Sequence, residues 1–314
     1  MIIPTPSWYP IESLDRELRD RLRERVLRDI TPAFRGGMSL TRQREFFDRM
    51  GADTELTPGL AVERRELAGR ISEWLVNPGH RSDHVLVHLH GGGFVIGSTD
   101  SHRAFVGRLA LASGITAIVP EYRLAPEHRF PAGLDDTIAI YHAVLALGLD
   151  PQHIVLSGDS AGGNLVLGTL LALRDAGAPL PAAAVLLSPF LDLTASGESV
   201  TTRAAADPWL DPRFLGPLGK LYAGDHDRGG PRISPLFADL RGLPPLLIQV
   251  GDQEILLSDS TRLAERARAA GVAALLEVWP EVWHVFQFFA PALPDASAAI
   301  ANIGAFVRRN LGLG

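Results

Sequence analysis

The chain has 314 residues, 46% of them hydrophobic and 21% charged, a balance that excludes a disordered or fibrous protein. It contains no cysteine and one lysine, Lys220, which removes thiol nucleophiles, disulfides and thiolate metal sites and leaves Schiff-base chemistry one poorly placed residue. A net charge of −6 gives no electrostatic footprint for nucleic acid.

In chain order, the start shows no basic segment followed by an apolar one, so no signal peptide is expected. No apolar run approaches the roughly eighteen residues that a membrane span needs, and a cytoplasmic location is the default expectation. Ile11, Leu14, Leu18, Leu22, Val26 and Ile30 recur at steps of three and four, which predicts an amphipathic helix over 11–30. Its polar face carries six arginines and six acids, the pattern of a surface helix and not of a basic membrane-binding one. After a break at Pro32, Gly36 and Gly37, a second helix is expected over 41–50, ending at Gly51 and presenting Phe46, Phe47 and Met50. Residues 62–67 and 71–76 read as a hairpin around Ala68-Gly69-Arg70.

Six short apolar runs follow, at 84–90, 115–120, 153–157, 183–188, 246–250 and 274–279. Helical stretches lie between and after them, near 102–113, 132–147, 162–176, 258–270 and 295–310. Continuous apolar strands alternating with helices specify a mostly parallel sheet covered on both faces, of eight strands with the hairpin. No repeat or linker divides the series, so one α/β domain with an N-terminal helical addition is expected.

Ligands of such sheets collect at the carboxyl ends of the strands. The strand at 153–157 runs into Gly158-Asp159-Ser160-Ala161-Gly162, after which helical sequence begins. This is a G-x-S-x-G turn in the strand–turn–helix context that exposes a serine hydroxyl above the sheet, and Ser160 is the candidate nucleophile. A merely glycine-rich turn would not need those flanking elements. Asp159 could tune the site or simply pair with a nearby arginine, and the structural part is favoured. The strand at 84–90 ends in His90-Gly91-Gly92-Gly93-Phe94, whose unshielded amides suit an oxyanion. A dinucleotide loop is the rival reading, but it needs a helix N-terminus directly after the glycines, and the next helix is expected only near 102. His84, His88 and His90 share one strand face, yet a zinc site needs three or four ligands in reach, so they are read as core or loop-anchoring residues.

A serine nucleophile needs a base and an orienting acid. His284 follows the last strand and is the only histidine beyond His226. The preceding strand leads into Gly251-Asp252-Gln253-Glu254, so Asp252 and Glu254 both qualify by position. Serine, acid and histidine then stand in the chain order of α/β-hydrolase triads.

Three motifs in order, His90-Gly91-Gly92-Gly93, Tyr122-Arg123-Leu124-Ala125-Pro126-Glu127 and Gly158-Asp159-Ser160-Ala161-Gly162, make the chain resemble bacterial hormone-sensitive-lipase-like esterases (family IV) of the α/β-hydrolase superfamily over about 84–290. The resemblance implies an α/β-hydrolase fold with Ser160 as nucleophile, His284 as base and the amides of Gly92, Gly93 and Ala161 as oxyanion donors. Such esterases commonly place the aspartate of Asp-Pro-Leu about thirty residues before the histidine. That register holds Glu254-Ile255-Leu256 here, which favours Glu254 over Asp252. Residues 122–127 are expected to support the site loops. Residues 1–55 and an insertion near 190–225 would form a cap on a catalytic domain of 56–314, with Phe94, Trp209, Phe214 and Phe286 lining the substrate pocket.

The expected reaction is hydrolysis of small-molecule esters with short to medium acyl chains, without cofactor, metal, nucleic acid or stable membrane insertion. A homodimer is left open. A lactone hydrolase or a deacetylase of a secondary metabolite could use the same residues. From another class, a non-catalytic small-molecule receptor shares this fold, and retention of Ser160, an acid and His284 argues against it.

Overall fold

The computed structural model describes residues 16–35, 37–77 and 81–313. Strands β1 (Ala61–Leu67), β2 (Arg70–Val76), β3 (Arg81–Leu89), β4 (Ile115–Pro120), β5 (Ile154–Asp159), β6 (Ala183–Leu187), β7 (Leu246–Gly251) and β8 (Ala274–Trp279) form one sheet in the order β1-β2-β4-β3-β5-β6-β7-β8. β1 and β2 are a hairpin, β2 pairs antiparallel with β4, and the remaining pairs are parallel. Every residue of β4, β5, β6 and β7 is buried, which is why those segments read as unbroken apolar runs. β1 is exposed along all but its last residue and carries Glu63, Arg64, Arg65 and Glu66, charges that discourage pairing of a sheet edge with another chain.

Helices α4 (Thr99–Ser113) and α10 (Pro294–Asn310) share one hydrophobic cluster through Phe105, Leu109, Ile303 and Phe306. Helices α5 (Ala132–Ala146), α6 (Ala161–Asp175) and α9 (Leu257–Ala269) contribute Tyr141, Leu165 and Leu263 to a second cluster. α4 starts three residues earlier than its apolar pattern, because Ser98 caps it by accepting from Ser101 N–H.

The N-terminal region departs from expectation in three ways. Ile11 and Leu14 lie outside the described residues, but Leu22, Val26 and Ile30 are buried as the periodicity requires. Helix α1 (Arg16–Arg25) then passes through a single π-helical turn, Val26–Ile30, into α2 (Thr31–Arg35), so the path continues through Pro32. Thr31 N–H bonds to the Val26 carbonyl five residues back, and this wider turn accommodates the proline ring. Helix α3 (Leu40–Ala52) runs past Gly51, which packs on the Ser101 backbone where a Cβ would overlap. Arg19, assigned by pattern to the polar face, is buried, with Asp295 and Glu281 each 2.7 Å away.

The stretch between β6 and β7 holds α7 (Ser199–Thr202) and α8 (Pro212–Ala223), with Lys220 exposed on α8. The N-terminal helices fasten to this insert. Thr31 Oγ1 donates to the Pro208 carbonyl, Arg35 to the carbonyls of Asp207 and Leu210, and Arg23 to that of Ala206.

Candidate active site

The turn from β5 into α6 places Ser160 at φ +50°, ψ −118°, a region costing about 1–3 kcal/mol for a residue with a side chain. Its own backbone offsets that strain: Ser160 N–H donates to the Leu187 carbonyl at 2.8 Å, and Phe190 N–H donates to the Ser160 carbonyl at 3.0 Å. α6 can start this close to the sheet only because residue 162 is glycine; a Cβ there would overlap the Leu89 carbonyl.

Alongside lies the glycine loop after β3. Gly92 adopts φ +114° and its carbonyl accepts from Val95 and Ile96 N–H. Residues 122–127 brace this loop. Tyr122 stacks on His90 at 4.2 Å and donates its hydroxyl to the His90 carbonyl at 2.6 Å. Arg123 forks onto Asp136, and Arg44 of α3 joins Glu127 to the carbonyls of Val95 and Ala125. The Arg44 hydrogen bonds hold the Glu127 carboxyl down to about 2.

Among the described residues, Asp159 pairs with no arginine. Its Oδ1 accepts from Gly91 N–H at 2.9 Å and lies 3.1 Å from His88 Nε2 and 3.3 Å from His102 Nε2, all buried. Burial would raise this carboxyl, yet the charges and hydrogen bonds of His102 and His88 hold it far below the usual range. Burial pushes His88 down from the ordinary imidazole value. His84, expected in the core, is buried, bonds to Asp83 at 2.9 Å and stacks on His153 at 3.9 Å. Among the described residues, two groups gather potential metal-donor atoms within 4.8 Å, Asp83-His84-His153 and His88-His102-Asp159. In the second, the contacts on Asp159 have hydrogen-bond lengths.

The structure brings Glu254, and not Asp252, to His284. Glu254 Oε2 lies 2.9 Å from His284 Nδ1, while Oε1 accepts from Ser188 Oγ at 2.8 Å and Gly251 N–H at 2.6 Å. Asp252 Oδ1 instead accepts from Glu281 N–H at 2.8 Å, which pins the loop carrying the histidine. Ser188 also accepts from Val285 N–H, so one hydroxyl joins acid and histidine loop. Burial disfavours a charged His284, but the hydrogen bond and charge of Glu254, with the charges of Asp207 and Asp159, raise it above an ordinary imidazole.

A cavity of about 320 Å³ opens at this point, lined by Ser160, Gly92, Gly93 and His284 and walled by Phe34, Phe47, Trp209, Phe214 and Phe288. Among the hydrogen bonds of the described residues, none joins Ser160 Oγ to His284; such contacts commonly tighten once substrate is bound. Trp209 and Phe214 line the cavity, and Phe94 and Phe286 do not. Phe94, at φ +66°, turns into the core and stacks on Tyr222 at 3.8 Å. Val285, at φ +47°, redirects the chain so that Phe286 packs on Trp279.

The family model matching residues 86–288 describes an alpha/beta hydrolase fold. An acetyl-hydrolase of Streptomyces hygroscopicus is 43% identical over 77% of this chain and 81% of its own length. An esterase of Acinetobacter venetianus is 41% identical over 71% of this chain and 74% of its own. A crystal structure of an esterase from the bacterial hormone-sensitive lipase family matches with a TM-score of 0.91 at 44% identity, covering 96% of this chain and all of the other. The chain belongs to that family. It is a carboxylesterase-type serine hydrolase of the α/β-hydrolase fold. No helix among the described residues is long and apolar enough to cross a membrane.

Three parts of this hormone-sensitive-lipase-family site escaped the sequence reading. The Ser188 hydroxyl, the Asp207 carboxylate and the N-terminal wall residues Phe34 and Phe47 are brought in by segments distant in sequence. For Phe47 alone there was a signal, the apolar face of its helix.

Proposed function

We propose that this hydrolase cleaves esters of short to medium acyl chains through an acyl-enzyme on Ser160. The observation that carries the reading is that His284, paired with buried Glu254 behind it, lines the same cavity as Ser160 and the glycine loop. His284 Nε2 takes the Ser160 proton as Oγ attacks the ester carbonyl, while Glu254 holds the proton on Nδ1 and stabilises the imidazolium. Negative charge on the carbonyl oxygen falls to the amides of Gly92, Gly93 and Ala161, the last in the first turn of α6 where helix N–H groups lack intrahelical partners. His284 then protonates the departing alcohol, and a water activated by the same ring releases the acid.

Residues 1–55, of which 1–15 and 36 lie outside the described residues, and 190–225 act as the cap in this reading, with Trp209 and Phe214 bounding the acyl site. A cavity of about 320 Å³ walled by aromatic rings favours a small apolar acyl group. The name of the Streptomyces relative, an acetyl-hydrolase, supports the short end of that range.

The test combines a fluorophosphonate probe with p-nitrophenyl acetate, butyrate, hexanoate and decanoate. Labelling is expected in the native chain and absent in Ser160→Ala, with kcat/KM highest at butyrate or hexanoate. Labelling that persists in Ser160→Ala overturns the nucleophile, and a maximum at decanoate overturns the acyl range.

A further inference from the structure

Residues 207–210 belong neither to the acid loop nor to the histidine loop, yet they touch both. The Asp207 carboxylate is 2% exposed and joins two stretches of chain. Its Oδ1 accepts from Trp209 and Leu210 N–H, both at 2.9 Å, and closes a turn in the insert. Its Oδ2 reaches across to accept from Ile255 N–H at 3.0 Å, the residue after Glu254. Two residues along, the Trp209 ring stands edge-on to the His284 imidazole, with centroids 6.2 Å apart and planes at 87°. From the other side, the N-terminal helices grip the same segment through Arg35 and Thr31. A carboxylate engaged by three backbone amides is fixed in place, and so are the chain segments that donate to it.

We propose that Asp207 is a positioning residue of the reaction: it locks the cap segment to the Glu254 loop and sets a second negative charge near His284. The proposal rests on the assignment of Ser160, Glu254 and His284 given above, and extends it to a group contributed by the cap.

The charge acts in a definite direction. Glu254, Asp207 and Asp159 are the anions that bear on His284, while His284 and Glu254 are the ionisable groups that bear on Asp207. Burial pushes the Asp207 carboxyl up to about 6, against the charge of His284 and the amides of Ile255 and Leu210, so near neutrality it is predominantly an anion. An anion near His284 favours the imidazolium that forms as Ser160 loses its proton. Without it the ring is a weaker base, and the pH below which His284 is protonated in the free enzyme moves down. Loosening the segment also lets the acid–base pair drift, and small misplacements around a reacting centre cost on the order of ten- to a hundredfold in rate.

The experiment uses the full chain with Asp207→Asn, Asp207→Ser and Asp207→Glu. It measures kcat and KM separately on p-nitrophenyl butyrate, the acid limb of kcat/KM against pH, and fluorophosphonate labelling. Both neutral variants are expected to lose about ten- to a hundredfold in kcat with KM nearly unchanged, and to shift the acid limb to lower pH. Asp207→Glu, which keeps the charge, is expected to keep the native limb. An unmoved acid limb in the neutral variants, or failure of both to fold, assigns Asp207 a purely structural part and overturns the proposal. Labelling or turnover that survives Ser160→Ala instead marks failure of the nucleophile assignment beneath it.

Discussion

Replacing Glu254 by glutamine separates the two acidic candidates after β7. Glu254 is fully buried and spends its oxygens unequally: Oε1 receives two hydrogen bonds, from Ser188 Oγ and Gly251 N–H, and Oε2 serves His284 alone. A glutamine has one oxygen to offer. Facing Ser188 and Gly251, it keeps two bonds and turns its NH₂ to His284 Nδ1, which forces the ring proton onto Nε2. That tautomer cannot accept the Ser160 proton. The reverse orientation sets the NH₂ against the Gly251 N–H, a buried donor facing a donor, at a cost of roughly 1–3 kcal/mol. The inactive orientation therefore dominates, and the native charge that favours imidazolium is lost as well. The corresponding carboxylate-to-amide change in the best-studied serine triad lowers kcat about 10⁴-fold, close to 5.5 kcal/mol of barrier, and that is the size expected here. Asp252→Asn keeps an acceptor for Glu281 N–H and should cost no more than about tenfold, the equivalent of one net hydrogen bond. The assay is kcat/KM on p-nitrophenyl butyrate with folding checked by circular dichroism. An equal or greater loss in Asp252→Asn refutes the argument.

Phe214 lines the cavity yet is 36% exposed, so truncation should remove acyl contact without opening the core. Phe214→Ala is expected to lower kcat/KM for p-nitrophenyl hexanoate about fivefold, roughly 1 kcal/mol of lost apolar contact, with little effect on the acetate. Equal loss on both esters would remove it from the acyl site. Arg19→Ala leaves the Asp295 carboxylate, 1% exposed, without its guanidinium. A destabilisation of about 3–5 kcal/mol by urea titration is expected, with kcat near native, and a loss under about 1 kcal/mol would contradict it.

The strands that line up the site were readable because burial on both faces forces them to be apolar throughout. The element at 115–120 falls on its expected bounds for that reason; the one at 274–279 also does, although only its last residue is buried. Register pointed to Glu254, the acid that lies 2.9 Å from His284, because the two residues sit on the loops after neighbouring strands. Side-chain direction was not readable in the same way. Phe94 and Phe286 each sit next to a site residue, but positive φ at Phe94 and Val285 turns them inward, and adjacency says nothing of φ. The partners of Asp159 were hidden by distance: His88 is 71 residues away along the chain. Pro32 carries a strong local signal for a helix break, and a π-turn upstream of it, which has no comparable signature, cancelled that signal.

The single lysine takes on practical weight once α8 is in place. Lys220 is exposed on that helix, and the residue after it, Leu221, lines the cavity. Amine-directed reagents therefore meet one lysine side chain among these 314 residues, and it rides on the insert that carries Phe214 to the cavity. A fluorophore attached there would report movement of that helix without engineering. Attachment to a surface through Lys220 would hold that helix, and with it Leu221 of the cavity wall, against the support.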